Sequence, residues 1–326
     1  MNSTQHSPVL QGYSPVSGEE EQSLSTNRER FDAELRRAGW LQPTAVFGVD
    51  GLGAEAEAVI DGLNRLIRKR AQQREHPAGL HRRRFPAVNG LGLLERTDYV
   101  ASFPQLLAAL ETFQGGQREH RKILADLAAG QDWSGGLEPN GMSLIPAACH
   151  PLYHSLAGGQ ARGEVYELIG DCFRAEPSSD PMRLTSFRMH ELVILGQPEQ
   201  CRRHRDGWIE EATGLLTDLG LQVEVVTAND PFFGRVGSLL ADGQRDAELK
   251  FEIVTQVYPG HPTAIASGNC HEDHFGKNFE ISLPEGGPAH SACFGFGLER
   301  IMLALAARHG LAVERWPQDV RDLLDL

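Results

Sequence analysis

The sequence predicts an α+β fold, an antiparallel sheet flanked by helices, and three stretches predict it. Near the end, residues 291–297 form an extended run with Gly295 and Gly297 two apart. Leu298, Ile301, Met302 and Leu305 then recur at helical spacing, so a strand hands over to a buried helix with Arg300 in its first turn. A cation there opposes the helix dipole, so Arg300 is expected to have an anionic partner. Earlier, residues 165–170 and 187–195 are apolar runs separated by a loop holding Pro177, Ser178, Ser179, Asp180 and Pro181, so the second run returns beside the first. Residues 55–74 carry Val59, Leu63, Leu66 and Ile67 on one face. Acids come early and bases late, the order that complements a helix dipole.

The remaining elements follow in chain order. Residues 1–26 are rich in Ser, Gln, Gly, Pro and Glu without apolar periodicity and are expected to be disordered; residues 27–326 then form one domain. Residues 27–40 predict a short helix, 84–89 a short strand closed by a loop, 103–113 an amphipathic helix and 130–141 a polar loop. Residues 143–153 read as a strand, a turn and a helix. Residues 206–220 are a helix with Trp208, Ala212, Leu215 and Leu219 on its core side and Gly220 as its stop. Residues 221–226 are strand-like and are followed by a turn at Asn229, Asp230 and Pro231. Residues 247–254 and 263–267 are further strands.

A chain of 326 residues that is 40% hydrophobic can bury one large core. No apolar run approaches bilayer length and the first residues lack a basic start and an apolar centre, so a cytoplasmic, non-membrane protein is expected. Thirty-one Lys and Arg against 44 Asp and Glu leave a net charge of -13, which counts against nucleic acid as the main partner. The five cysteines are an odd number and widely spaced. Burial or metal binding explains them better than disulfides.

Residues bearing chemistry stand out against this background. Arg174 and Glu176 are two apart on a strand and share a face. Glu191 interrupts an apolar strand, where a carboxylate is costly unless paired or ligating something. Cys149 beside His150 suggests a metal, although a lone buried cysteine behaves as a small apolar group. The run Gly268-Asn-Cys-His-Glu-Asp-His-Phe-Gly276 suggests a zinc site through Cys270, His271 or His274 if these converge. Two basic runs, one around Arg68, Lys69 and Arg70 and one at Arg202, Arg203 and Arg205, are solvated helix faces or docking surfaces for an acidic partner.

Three blocks carry a resemblance. Arg174-x-Glu176 on a hairpin and the closing Gly-x-Gly-x-x-Arg300 resemble motifs 2 and 3 of class II aminoacyl-tRNA synthetases. Leu144-Ile-Pro-Ala-Ala-Cys-His-Pro-Leu152 is similar to the Leu-Ile-Pro-Thr-Ala-Glu loop of seryl-tRNA synthetase, with Cys149 in place of its substrate-binding Glu. Ala266-Ser-Gly-Asn-Cys270 resembles that enzyme's Ser-x-Ser-Asn-Cys segment, and residues 55–74 with Phe85-Pro86 resemble a degenerate motif 1. The resemblance spans residues 50–307. The N-terminal part has no long helical hairpin or basic domain to grip tRNA. In this and in the phrases LKFE and CFGFGLER the chain is similar to the bacterial amino acid:[carrier protein] ligases, whose core is of the archaeal seryl type.

That resemblance implies a class II synthetase catalytic fold and ATP-dependent activation of an amino acid, followed by transfer to the phosphopantetheine thiol of a carrier protein. It implies zinc held by Cys149, Glu191 and Cys293, and ATP bound with magnesium. Arg174 faces the α-phosphoryl group and Arg300 the γ-phosphate. Glu176, Arg183 and Leu184 line the adenine and ribose side, and Lys250 with Ala264, Ile265, Ala266 and Ser267 the sugar and phosphate side. Glu191 and Asn269 touch the substrate. Ala147-Ala148 replaces Thr-Ala, which points to glycine, then alanine. A homodimer without tRNA is implied. A truncated seryl-tRNA synthetase charging tRNA and a non-catalytic paralogue are the alternatives.

Overall fold

A computed structural model describes residues 18–228, 230 and 248–326. The elements in chain order are α1 (Gly18–Arg37), β1 (Leu41–Pro43), β2 (Asp50–Leu52), α2 (Ala54–Gln73), β3 (Leu80–Arg83), β4 (Val88–Gly90), α3 (Leu91–Arg96), α4 (Tyr99–Ser102), β5 (Ala109–Phe113), α5 (Gln117–Ala128), β6 (Leu137–Leu144), α6 (His150–Ser155), β7 (Glu164–Phe173), β8 (Ser186–Gly196), α7 (Pro198–Asp218), β9 (Val223–Thr227), β10 (Lys250–Tyr258), β11 (His261–Glu272), α8 (His274–Asn278), β12 (His290–Gly297), α9 (Leu298–His309) and α10 (Gln318–Leu324). The main sheet has the order β3-β7-β8-β12-β11-β10-β9. Every pairing in it is antiparallel except that of β3 with β7. β4, β6 and β5 form a smaller sheet beside it.

Side chains alternate across a strand, and β12 uses this to separate core from chemistry. Phe294 and Phe296 point to one face, where they meet Trp208 of α7 at ring distances of 6.2 and 6.1 Å. The apolar stripe of α9 (Leu298, Ile301, Met302, Leu305) and the face of α2 (Val59, Ile60, Leu63, Ile67) fill the same core. Cys293 and Gly295 point to the opposite face, into a second cluster with Tyr153, Leu168, Val193, Phe275 and Phe279. The first core explains why the 3.6-residue repeats were readable. It is built from helices packing a sheet face.

Several expectations are corrected. Residues 18–26, expected to be disordered with the rest of 1–26, belong to α1, while residues 1–17 lie outside the described ones. The expected helix at 103–113 is a single 3-10 turn (Pro104–Leu106) followed by β5, whose exposure alternates residue by residue, with Leu110 and Thr112 on the half-covered side. The loop expected at 130–141 holds a 3-10 turn (Ser134–Gly136), and its last five residues belong to β6. The strand expected at 84–89 is confined to β4, with β3 ending at Arg83. The run 268–276, weighed as a zinc site, is the end of β11 and the start of α8. Of the turn expected at 229–231, only Asp230 is described.

The opposite side of β7 bears a buried ion cluster. Glu167 is 2% exposed and accepts from Arg68 Nε of α2 at 2.8 Å, with Arg82 at 3.6 Å and His190 Nε2 at 3.5 Å. Burial raises the affinity of Glu167 for a proton, but His190 and Arg68 outweigh it and hold the carboxyl down at about 2. A depressed carboxyl stabilises the fold above its unfolded pKa of 4.5 and loses that contribution as pH falls toward 2. Arg68→Ala is therefore expected to destabilise at pH 7 by about 3–5 kcal/mol, through an uncompensated buried charge, and to raise the pH midpoint of acid unfolding. Denaturant titrations at pH 7 and pH 4 check both. Equal losses at the two pH values would exclude the ion cluster as the cause.

Candidate active site

The loop between β6 and α6 brings the two halves of the site together. At its end the thiol of Cys149 lies against both the sulfur of Cys293, on β12, and the carboxylate of Glu191, on β8. Glu191 Oε1 accepts the main-chain N–H of Ala148 at 2.9 Å, while Oε2 is buried with no hydrogen-bond partner. Two glycines create this space. A Cβ at Gly170 would stand 2.8 Å from that of Ala148, and one at Gly295 would stand 3.0 Å from Met189 Cε and 3.5 Å from Glu191 Cγ.

Burial and the neighbouring Cys293 push the Glu191 carboxyl up to about 7. Cys293 is held well below the usual thiol range, first by the Cys149 thiol and then by His271 and Asn269, and Cys149 is correspondingly raised. Asn269 Nδ2 lies 3.6 Å from Cys293 Sγ and 3.4 Å from Ser267 Oγ. Among the described residues, His271 is the basic side chain that faces this cluster. Among the described residues, no three His, Cys, Asp or Glu side chains are set around one point as a metal centre requires. The sulfurs and carboxylate contact each other directly.

Of the rival zinc set, only His271 comes close. Its Nε2 is 3.6 Å from Cys293 Sγ and its Nδ1 3.1 Å from Ser291 Oγ. Cys270 points through the sheet to Cys201, Val165, Ile194 and Ala292. His274, on α8, pairs with Asp98 at 3.3 Å. His150 is packed between Tyr99 and Phe275, and burial lowers it to about 3. Tyr153, stacked on Phe275 with centroids 4.1 Å apart, forms a wall that sequence reasoning missed. The available signal was period 2: read as a strand, residues 269 and 271 share a face with the sulfur site.

Arg174 and Glu176 lie beyond the end of β7 rather than on it. Arg174 Nε donates to the carbonyl of Pro146 at 3.3 Å, on the Cys149 loop, and its guanidinium lies over the Phe187 ring. Arg300 donates to the carbonyls of Met182 (2.8 Å) and Ala264 (3.1 Å), so the anionic partner expected for it is replaced by main-chain oxygens. Burial, followed by the nearby charges of Arg174 and Arg183, lowers its pKa. Arg183 has a loose pairing with Glu176 at 3.8 Å. Among the described residues, three guanidinium groups thus share a region whose nearby acids are Glu176 and Glu252, a place for a polyanion.

The rest of the expected nucleotide set is mixed. Leu184 is buried and lines, with Arg183, Gly48, Phe47 and Asp180, a cleft of ≈ 220 Å³. Ile265 and Ala266 are buried in the core, so Ala264 to Ser267 offer main chain rather than side chains. Lys250 is 7% exposed and held by Asp230 at 2.6 Å and Glu252 at 3.1 Å. Its charge is already matched, which weakens it as a phosphate ligand. Behind Arg300, Arg188 binds Glu299 (Nε to Oε1, 2.7 Å) and Glu57 of α2 (2.8 and 3.0 Å), fixing the first turn of α9.

Both basic patches change. Arg205 is buried, donating to Asp206 and the Glu248 carbonyl, so it is not surface. Arg202 and Arg203 lean on Glu199, Arg68 on Glu167, and Arg70 on Glu211 and Asp218.

Comparison with known proteins matches this geometry. No protein-family model matches the chain. It is 39% identical over 286 residues to amino acid–[acyl-carrier-protein] ligase 1 of Bradyrhizobium diazoefficiens, covering 86% of each chain, and 40% identical over 283 residues to ligase 2 of that organism, covering 86% of this chain and 83% of the relative. A type-2 serine–tRNA ligase of Methanopyrus kandleri is 29% identical over 208 residues, 58% of this chain and 39% of that one. The solved M. kandleri seryl-tRNA synthetase, in complex with Aquifex aeolicus tRNASec, superposes with a TM-score of 0.76 at 22% identity. That match covers 90% of this chain, which spans 60% of the synthetase. Prolyl-tRNA synthetase of Cryptosporidium parvum superposes at 0.61 and 14% identity over 86% of this chain and 52% of that one. The fold is that of the class II aminoacyl-tRNA synthetase catalytic domain.

Proposed function

The chain belongs to the amino acid–[acyl-carrier-protein] ligase family, and we propose that it activates a small amino acid with ATP and loads it onto the phosphopantetheine thiol of a carrier protein. The observation that carries this is the clustering of Arg174, Arg183 and Arg300 beside the Cys149 loop. A nucleotide triphosphate with magnesium would relieve their repulsion. The substrate carboxylate attacks the α-phosphorus and diphosphate leaves; Arg174 offsets charge at the α-phosphoryl group, and Arg300 holds the γ-phosphate. The carrier thiol, losing its proton, then attacks the carbonyl carbon and expels AMP, leaving a thioester.

Cys149, Glu191 and Cys293 offer zinc suitable donor types, two sulfurs and a carboxylate with one buried unpartnered oxygen, although among the described residues they are not spaced as a bound metal centre. When bound, it would offer an open position to a neutral substrate amine. Around that position Asn269 and the Ala147-Ala148 main chain orient the substrate. Ala147-Ala148 in place of Thr-Ala removes a hydroxyl from the loop, which supports glycine, then alanine, as substrate.

Amino-acid-dependent pyrophosphate exchange across the twenty amino acids tests this reading. Glycine is expected to be the best substrate and alanine second, because a pocket lacking the threonine hydroxyl cannot select a hydroxymethyl group by hydrogen bonding. Serine as best substrate would overturn the specificity, and charging of tRNA in place of a carrier protein would overturn the reaction. The same reading carries a cytoplasmic homodimer, whose mass sedimentation equilibrium reads. Among the described residues no helix is long and apolar enough to cross a membrane.

A further inference from the structure

We infer that Arg28 of α1 is a positioning residue for ATP, acting through Asp180, an inference that rests on the ligase reading above. The loop between β7 and β8, residues 174–185, carries Arg174, Glu176, Arg183 and Leu184 and is built of turns and bends. Such a loop is costly to order around a ligand unless something outside it holds its shape beforehand.

Asp180 supplies that hold. It is 9% exposed. Its Oδ1 accepts from the Met182 N–H at 3.0 Å and from the hydroxyl of Tyr258, at the end of β10, at 2.8 Å. Its own carbonyl accepts the Arg183 N–H at 2.9 Å, and its N–H donates to Ser178 Oγ at 3.0 Å. The Met182 carbonyl in turn accepts from Arg300 Nε at 2.8 Å. One residue thus sets the main chain that presents Arg183 and the carbonyl that seats Arg300.

The other carboxylate oxygen of Asp180 faces α1. Arg28 Nε stands 2.8 Å from Oδ2, and the guanidinium lies over the Tyr258 ring, 5.8 Å from its centroid. Phe31, one turn on, meets the same ring edge-on at 6.3 Å, so the helix is seated against the residue that also binds Asp180. Asp32 and Arg36 continue this face and line, with Ser178, Arg183 and Leu184, the cleft of ≈ 220 Å³. α1 ends at Arg37, before the residues that resemble synthetase motifs. Among the described residues Arg28 is the cation paired with Asp180. Its removal leaves a nearly buried carboxylate without an opposite charge and loosens the hold on the loop.

Arg28→Ala is expected to raise KM for ATP in glycine-dependent pyrophosphate exchange about fivefold with kcat within about twofold, and to raise the Kd for ATP measured by calorimetry without amino acid by a similar factor. Arg28→Lys recovers part of the loss. Asp180→Asn raises the same KM by about tenfold, and adding Arg28→Ala to it changes little, because both act through one carboxylate. Thermal unfolding is followed for each variant, and Arg28→Gln, which keeps the stem beside Tyr258, gives the same reading if Arg28→Ala does not fold. An unchanged KM for ATP in folded Arg28→Ala or Arg28→Gln would overturn the positioning role, and so would effects that multiply in the combined variant. A rise in KM equal in Arg28→Ala and Arg28→Lys would also overturn it. Failure of the unaltered protein to exchange pyrophosphate with any amino acid would defeat the ligase reading instead, and the Kd for ATP would still read the effect of Arg28.

Discussion

Arg174→Ala is expected to lower pyrophosphate exchange by on the order of 10³-fold, about 4 kcal/mol of transition-state stabilisation, with most of the loss in kcat. The side chain makes one bond, to the carbonyl of the buried Pro146, and a contact over Phe187, so its removal costs the fold at most that one hydrogen bond and the ring contact. Arg174→Lys keeps charge but loses the planar fork, and should recover only part of the rate. Arg300→Ala is expected to raise KM for ATP as well, because its position at the head of α9 suits the terminal phosphate. Its bonds to Met182 and Ala264 also tie two loops together. Thermal unfolding of both variants separates the two roles: a loss of rate in Arg174→Ala matched by loss of folded protein would sink the catalytic assignment.

Replacing Cys293 by Ser is expected to take zinc content from one per chain to near zero and to abolish exchange, and Glu191→Gln should do the same. A three-ligand site does not retain its metal on two. Cys270→Ser, pointing to the opposite face of the sheet, should leave both unchanged. Metal analysis on dialysed protein reads the first effect without reference to activity. Zinc retained in Cys293→Ser and lost in Cys270→Ser would transfer the site to the rival set. His271, 3.6 Å from Cys293, is the neighbour through which a weaker effect would travel; its replacement should cost about 10- to 100-fold in metal affinity.

The helices were legible because their apolar residues face one continuous core. Val59, Leu63, Leu66 and Ile67 in α2, and Leu298, Ile301, Met302 and Leu305 in α9, repeat every three or four residues and are all buried. The smaller sheet was not. β5 and β6 have one side in solvent and short apolar repeats, so 103–113 read as a helix and 130–141 as a loop. The same failure hid the neighbourhood of the sulfur site. The strand expected at 263–267 runs on to Glu272; a strand end lining a site is polar on its functional face and so lacks the apolar signal of a strand.

Resemblance to class II synthetase motifs, more than residue types alone, nominated Cys149, Glu191, Cys293, Arg174 and Arg300. Only the folded chain could decide which neighbours they keep. Strand register sets Cys270 and Cys293 on opposite faces of one sheet, and burial turns Lys250 and Arg205 inward to partners of their own. It also exposes α5, which no periodicity marks as a surface. Contacts between residues far apart in sequence depend on register and packing, and those are properties of the assembled sheet rather than of any local stretch.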